Sequence, residues 1–154
     1  MTYLIVVGVD GSDGGRRALR WAVGEAAERN GTVQAVTAWR WDGLEGGAMV
    51  APNPIEEEER ANALLSREIG KVTRGTSTAP VSAEVVEGRP ADMLTAAARR
   101  ADLLVLGSHG HGRLRHTVLG SVSEECVRKA TCPVVVLPVP VPAPDGPAVP
   151  AVPA

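Results

Sequence analysis

Apolar and polar positions along this chain follow two alternating rhythms. TYLIVVGVD, residues 2–10, is a near-continuous β-branched and apolar run that leads into DGSDGG, the pattern of a strand buried on both faces and then a turn. From Asp13 onward Ala18, Leu19, Ala22, Val23, Ala26 and Ala27 recur at spacings of three and four, which paints one apolar stripe along a helix. That helix is expected to stop near RNGT, where Asn30 and Gly31 supply the left-handed residues of a C-terminal cap. TVQAVTAW then reads as a second strand.

Residues 40–53 are glycine-rich and lack periodicity, so a long loop is expected there. NPIEEEER opens a helix: Asn53 is its cap, Pro54 fits the first position, and the acidic run favours the positive end of the helix dipole. Leu64, Leu65, Ile69 and Val72 carry its apolar face. PVSAEVVEG alternates as a third strand, and RPADMLTAAARRA is a helix with Pro90 at its first position. DLLVLG gives a fourth strand, residues 121–130 a fourth helix and CPVVVLP a fifth strand. Five strands alternating with four helices, joined by right-handed crossovers, give one parallel sheet covered on both sides, a doubly wound α/β domain over residues 1–138. In residues 139–154 six of sixteen residues are proline among alanine and valine, so this stretch is expected to be an extended tail outside any core.

Bulk properties narrow the classes. A chain of 154 residues buries about two thirds of its unfolded surface and needs neither disulfides nor metal to fold. No apolar run reaches the ~18 residues of a membrane span, and YLIVVGV is too short, and lacks the basic leader and cleavage site, for a signal peptide. A cytoplasmic protein with no membrane association is expected. A net charge of −2 with scattered arginines offers no basic face, which argues against nucleic acid as a partner. Cys126 and Cys132 read as reduced core thiols.

Ligands of open parallel sheets bind at the carboxyl ends of the strands, where the winding reverses. Two loops qualify: VDGSDGG after the first strand, and the stretch GSHGHGRLRHTVLGS after the fourth, which holds Gly107, Gly110, Gly112, Gly120 and all three histidines. Glycine amides with no side chains to shield them, followed by the first turn of a helix at Gly120 and Ser121, make a seat for anions and above all for phosphates. The stretch has no P-loop lysine and falls one glycine short of a dinucleotide fingerprint. Architecture alone supplies rival readings: SVSE is a capping box with Ser121 as cap and Glu124 three residues on, and Asp10 before Gly11 commonly bonds turn amides. Trp39 reads either as stacking on a bound ring or as a packing residue, and Arg113 and Arg115 either as phosphate partners or as solvated loop residues. His109, His111 and His116 do not make a metal site on their own, because the stretch supplies no evident third and fourth ligand.

The spacing Gly107-x2-Gly110-x9-Gly120-Ser121, between DLLVLG and CPVVVLP, resembles the ATP-binding signature of the universal stress protein family. VGVDGS, VTAWR and EGRPADML resemble that family too, and the resemblance covers residues 3–138. It implies a Rossmann-like adenine-nucleotide-binding fold with strand order 3-2-1-4-5. It further implies that Val9, Asp10 and Ser12 lie beside the nucleoside, with Asp10 accepting from ribose or adenine, and that Ala38 faces the adenine ring. Leu106 and Gly107 would close the pocket, and His109 and Gly110 would touch ribose or phosphates. Gly120, Ser121, Val122 and Ser123 would hold phosphates through amides and hydroxyls.

The implied protein is an ATP-binding regulatory module of the stress response, with magnesium arriving alongside the phosphates. Hydrolysis needs a group that positions water and a charge that stabilises the leaving phosphate. Only His109 and Asp10 can be nominated, and no second residue in the sequence orients either. A binder with slow or negligible turnover is therefore expected; the alternative is a slow ATPase or autophosphorylating enzyme using the same pocket. Strand five would lie on a sheet edge, and family members pair such edges between subunits, which implies a homodimer.

Overall fold

The computed structural model describes residues 2–40, 53–75, 79–111 and 119–140. Its elements run in the order β1 (Leu4–Gly8), α1 (Asp13–Glu28), β2 (Thr32–Trp39), α2 (Pro54–Thr73), β3 (Val81–Glu87), α3 (Pro90–Ala97), a 3-10 turn (Ala98–Arg100), β4 (Leu103–Gly107), α4 (Ser121–Lys129) and β5 (Val134–Leu137). The strands form one sheet in the order β3-β2-β1-β4-β5, and all four neighbouring pairs are parallel. The doubly wound α/β reading holds. Of the loop expected at 40–53 and the tail expected at 139–154, residues 41–52 and 141–154 lie outside the described residues.

Two-residue alternation sorts the strand side chains into two cores. Ile5, Val7, Val33, Ala35, Leu103 and Val105 face one side, with Ala18, Leu19, Ala22 and Ala26 of α1 and Leu65 of α2. Val6, Val36, Leu104 and Leu106 face the other, with Ala91 and Leu94 of α3 and Cys126 of α4. The central strands are therefore apolar on both faces, which is why they read as unbroken runs. Burial pushes the Cys126 thiol up to about 11, with the Glu125 charge adding to the effect, so this cysteine packs as an apolar residue. Both cysteines are free thiols.

The start of α2 follows the expected chemistry, and the end of α1 amends it. Asn53 accepts from the Glu56 amide at 2.9 Å and Pro54 begins α2. Beyond α1, Asn30 alone is left-handed, at φ 53. Gly31 is required for another reason: a Cβ there would lie 2.5 Å from the Tyr3 carbonyl oxygen. Among the described residues no helix is long and apolar enough to cross a membrane.

The switch point falls between β1 and β4, the neighbours whose connections leave in opposite directions. The loops after these two strands meet there: His111 Nε2 of the second lies 2.7 Å from Asp10 O of the first. One buried ion pair fixes α1 against α2 behind that point: Arg16 Nε donates to Glu68 Oε2 at 2.8 Å, with the Glu68 side chain 2% exposed. Hydrogen bonding from Arg16 holds the Glu68 carboxyl below its ordinary range against the opposing effect of burial.

Candidate functional site

Beyond its last strand residue, β1 stays tied to β2. The Val9 amide donates to Val36 O at 2.9 Å and the buried Thr37 hydroxyl donates to Val9 O at 2.8 Å. Asp10 therefore leaves the sheet from a fixed point. Gly11 turns the chain with φ 84, a conformation that side chains resist. Ser12 then caps α1 and accepts from the Gly15 amide at 3.1 Å. Asp10 Oδ1 accepts from the Ser12 amide at 2.9 Å and also from the Ser12 hydroxyl, so the turn-stabilising role of Asp10 is real. It engages one carboxylate oxygen.

The second loop is held by Ser108. Its amide donates to Leu137 O at 2.8 Å, and its carbonyl accepts from the Gly120 amide at 2.6 Å and from the Ser123 hydroxyl at 2.7 Å. The start of α4 is thereby clasped to the end of β4. The Ser108 hydroxyl lies 3.0 Å from His109 Nδ1. His111 Nε2 lies 2.7 Å from Asp10 O; a carbonyl only accepts, so Nε2 carries the proton and ties the second loop to the first. Gly110 brings the loops closest, since a Cβ there would sit 2.5 Å from Asp10 Oδ2.

Together these residues enclose a cavity of about 580 Å3 whose wall includes Val9, Asp10, Ser12, Ala38, Leu106, Gly107, His109, Gly110, Gly120, Ser121, Val122 and Ser123. Every residue singled out from the sequence resemblance thus reaches one cavity. Three of the expected contacts change in detail. The Gly120 amide is bonded to Ser108 O, and the Ser123 hydroxyl donates to the same oxygen from a buried side chain. The Ser12 hydroxyl is likewise engaged on both sides, as donor to Asp10 and acceptor from Gly15. The capping-box reading of SVSE also fails, because Gly120 is the cap and Ser121 the first helical residue, with no side-chain cap bond. Helix geometry leaves the amides of Ser121, Val122 and Ser123 without intrahelical carbonyl partners, and these three residues line the cavity.

The wall contains further residues that spacing does not announce. Pro90 and Leu94 of α3 form an apolar side together with Val36, while His111 and Glu124 add polar groups. Leu94 reaches the cavity because Gly8 leaves it room: a Cβ on Gly8 would lie 2.9 Å from Leu94 Cδ1. The period of four from Pro90 to Leu94 was the available signal for a second wall. Trp39 follows Ala38 on β2 and so points to the opposite sheet face; it is absent from the described wall. Gly112, Arg113, Arg115 and His116 lie outside the described residues. Among the described residues no cluster of three or more histidine, cysteine or acidic side chains could hold a metal.

Comparison with known proteins gives the family and the fold. The model of the universal stress protein family matches residues 1–138. A universal stress protein of Mycolicibacterium smegmatis is 32% identical over 135 residues, which cover 86% of this chain and 45% of that protein. One from Mycobacterium tuberculosis is 36% identical over 141 residues, covering 86% and 47%. This chain spans about half the length of the curated relatives it matches. Among solved structures, a universal stress protein in complex with cAMP is 27% identical with a TM-score of 0.67, over 88% of this chain and 96% of that one. The universal stress protein from Archaeoglobus fulgidus in complex with dAMP is 25% identical with a TM-score of 0.65, over 88% and 97%.

Proposed function

The chain belongs to the universal stress protein family, and on that premise we propose that it is a regulatory module that binds an adenine nucleotide, ATP included, in the cavity between β1 and β4. One observation carries the reading. Ser121 to Ser123, whose amides have no partners within the helix, and Asp10 line the same cavity, with apolar Val36, Ala38 and Leu94 also on its wall. A nucleotide has matching parts: an anion for the helix N-terminus, hydroxyls that donate to a carboxylate, and a flat apolar base. Solved relatives at 27% and 25% identity hold cAMP and dAMP, which supports the same ligand class here.

Asp10 Oδ2 is the oxygen that remains for ribose, since Oδ1 serves Ser12. Phosphate goes to the three α4 amides, with the Ser121 hydroxyl beside them. The Gly120 amide and the Ser123 hydroxyl hold α4 in place and do not reach the ligand. Magnesium entering with a polyphosphate would meet Asp10 and Glu124, the carboxylates of the described wall. Oriented amides bind phosphate and do little to activate water, and His109 is turned toward Ser108, so turnover is slow or nil. The module pairs with a second copy through the outer edge of β5, which is hydrogen-bonded to β4 on one side only; a monomer in micromolar sedimentation runs would contradict this.

Calorimetric titration of ATP and AMP, with and without magnesium, into wild type and Gly110→Val tests the proposal. Binding to wild type and its loss in a variant of near-normal melting temperature is expected, because the new side chain displaces Asp10 Oδ2. Absence of binding to wild type overturns the reading. Sustained magnesium-dependent phosphate release, abolished by His109→Ala, would make the protein an enzyme.

A further inference from the structure

Next to the nucleotide cavity lies a second chamber of about 380 Å3, formed by the end of β2, the β3–α3 turn and the first turn of α4. Ala38, Pro90, Ser121 and Val122 line both spaces. Val122 stands on the shared wall and is partly exposed, so the two spaces adjoin at a surface side chain and not across closed core.

The chamber differs from its neighbour in charge. The carboxylates Asp10 and Glu124 belong to the first wall, whereas Arg40, Arg89 and Glu125 belong to the second. Arg89 donates to Glu125 at 3.0 Å and lies 3.5 Å from Asp92. Both carboxylates have a second cation, since Lys129 Nζ lies 3.0 Å from Asp92 and 3.1 Å from Glu125. Arg89 can therefore turn toward an incoming anion while Asp92 and Glu125 stay paired. Exposed pairs of this kind are held weakly, and a phosphate offers the guanidinium an anionic partner with the same fork geometry. The turn that carries Arg89 is fixed in shape: Gly88 has φ 151 and donates to Trp39 O at 2.8 Å, so the β3–α3 turn and the end of β2 move as one.

We propose that this chamber is an anion-binding subsite in which Arg40 and Arg89 hold a second phosphate-linked group, so that the preferred ligand class is a dinucleotide, two nucleosides joined through phosphate. The proposal rests on the nucleotide reading of the first cavity and extends the ligand beyond it. A mononucleotide fills the first cavity alone; a ligand with a second nucleoside carries phosphate past Val122 to the arginines.

The test is titration of AMP and of diadenosine tetraphosphate into wild type, Arg40→Ala, Arg89→Ala and the double variant. Wild type is expected to bind the diadenosine compound about tenfold more tightly than AMP. Each single variant lowers that advantage and the double variant removes it, while AMP affinity changes less than about twofold. The advantage also shrinks as salt rises from about 0.05 to 0.5 M, because both arginines face solvent. Arg89→Gln keeps a polar side chain and guards against local rearrangement; it should behave as Arg89→Ala does. Equal affinities for the two compounds in wild type, or loss of AMP binding along with the diadenosine compound in the variants, overturns the subsite and leaves the nucleotide reading standing. If neither compound binds wild type, the nucleotide reading fails and the subsite with it.

Discussion

Gly107 is the residue at which an architectural and a ligand-based reason for glycine part ways. It ends β4 where α1 begins, and a Cβ built there would lie 2.7 Å from the Gly14 carbonyl carbon, 2.8 Å from its oxygen and 3.0 Å from its Cα. These are backbone atoms, held by the Ser12 cap and by the Arg16–Glu68 pair one turn on. The closest approach is about 0.8 Å inside ordinary carbon–carbon contact, and it can be relieved only by shifting the start of α1 away from the sheet. Overpacking of this kind costs about 1–3 kcal/mol, and for a domain of this size each kcal/mol lowers the melting temperature by about 3 °C. Gly107→Ala should therefore melt about 3–9 °C below wild type in a thermal scan followed by circular dichroism. Gly110→Ala is the control: its Cβ meets the Asp10 carboxylate, a side chain that can turn, so its stability loss stays below about 1 kcal/mol while ligand affinity falls. If Gly107→Ala kept its melting temperature and lost nucleotide binding, the ligand would be what approaches that backbone, and the argument from α1 would be wrong.

Three other substitutions probe the supports of the site. Thr37→Val keeps shape but leaves Val9 O without its hydroxyl donor, so chemical denaturation should show a loss of about 1–2 kcal/mol and nucleotide titration a weaker complex. Ser123→Ala removes the clasp on Ser108 O; AMP affinity should drop about three- to tenfold, adenosine affinity should hold, and Ser123→Thr should restore AMP binding, whereas an equal loss for both ligands would mark general loosening. Glu68 has a folded-state pKa depressed by Arg16, so its stabilising contribution is full above the unfolded glutamate value of about 4.3 and disappears as pH falls through the lower folded value. Denaturation of wild type and Glu68→Gln from pH 7 downward should show wild type more stable at neutral pH and the difference narrowing as the carboxylate protonates; a difference that stays constant throughout the acid range would contradict the assignment.

Strand identity was legible because every central strand is apolar on both faces and is bounded by caps with plain chemistry, such as Asn53–Pro54 and Asn30; the strand order was implied by the family resemblance and not by the pattern itself. The site was legible as a set of positions, since the strand ends at Asp10 and Gly107 and the helix start at Gly120 carry its chemistry. Individual bonds were not. That Ser108 O gathers the Gly120 amide and the Ser123 hydroxyl depends on how the start of α4 meets the end of β4, and no local spacing encodes which carbonyl will receive a given donor. Ser121 reads as a cap because SVSE has the right spacing, yet the extended residue fell one position earlier, at Gly120. Leu94 and Pro90 enter the wall only because α3 crosses the end of β1, a tertiary fact. The partner of Gly107 was likewise hidden: sequence shows that something must approach a glycine backbone, and only the fold shows that it is Gly14.

The most direct test of the account follows backbone amides by 15N–1H correlation spectroscopy while AMP, and separately adenosine, is added to the full chain. The account predicts that AMP shifts the amides of Ser121, Val122 and Ser123, that adenosine leaves those three nearly unmoved, and that both ligands shift Asp10 and Ala38. Shifts confined to other surfaces, or α4 amides that stay still as AMP saturates, would contradict it.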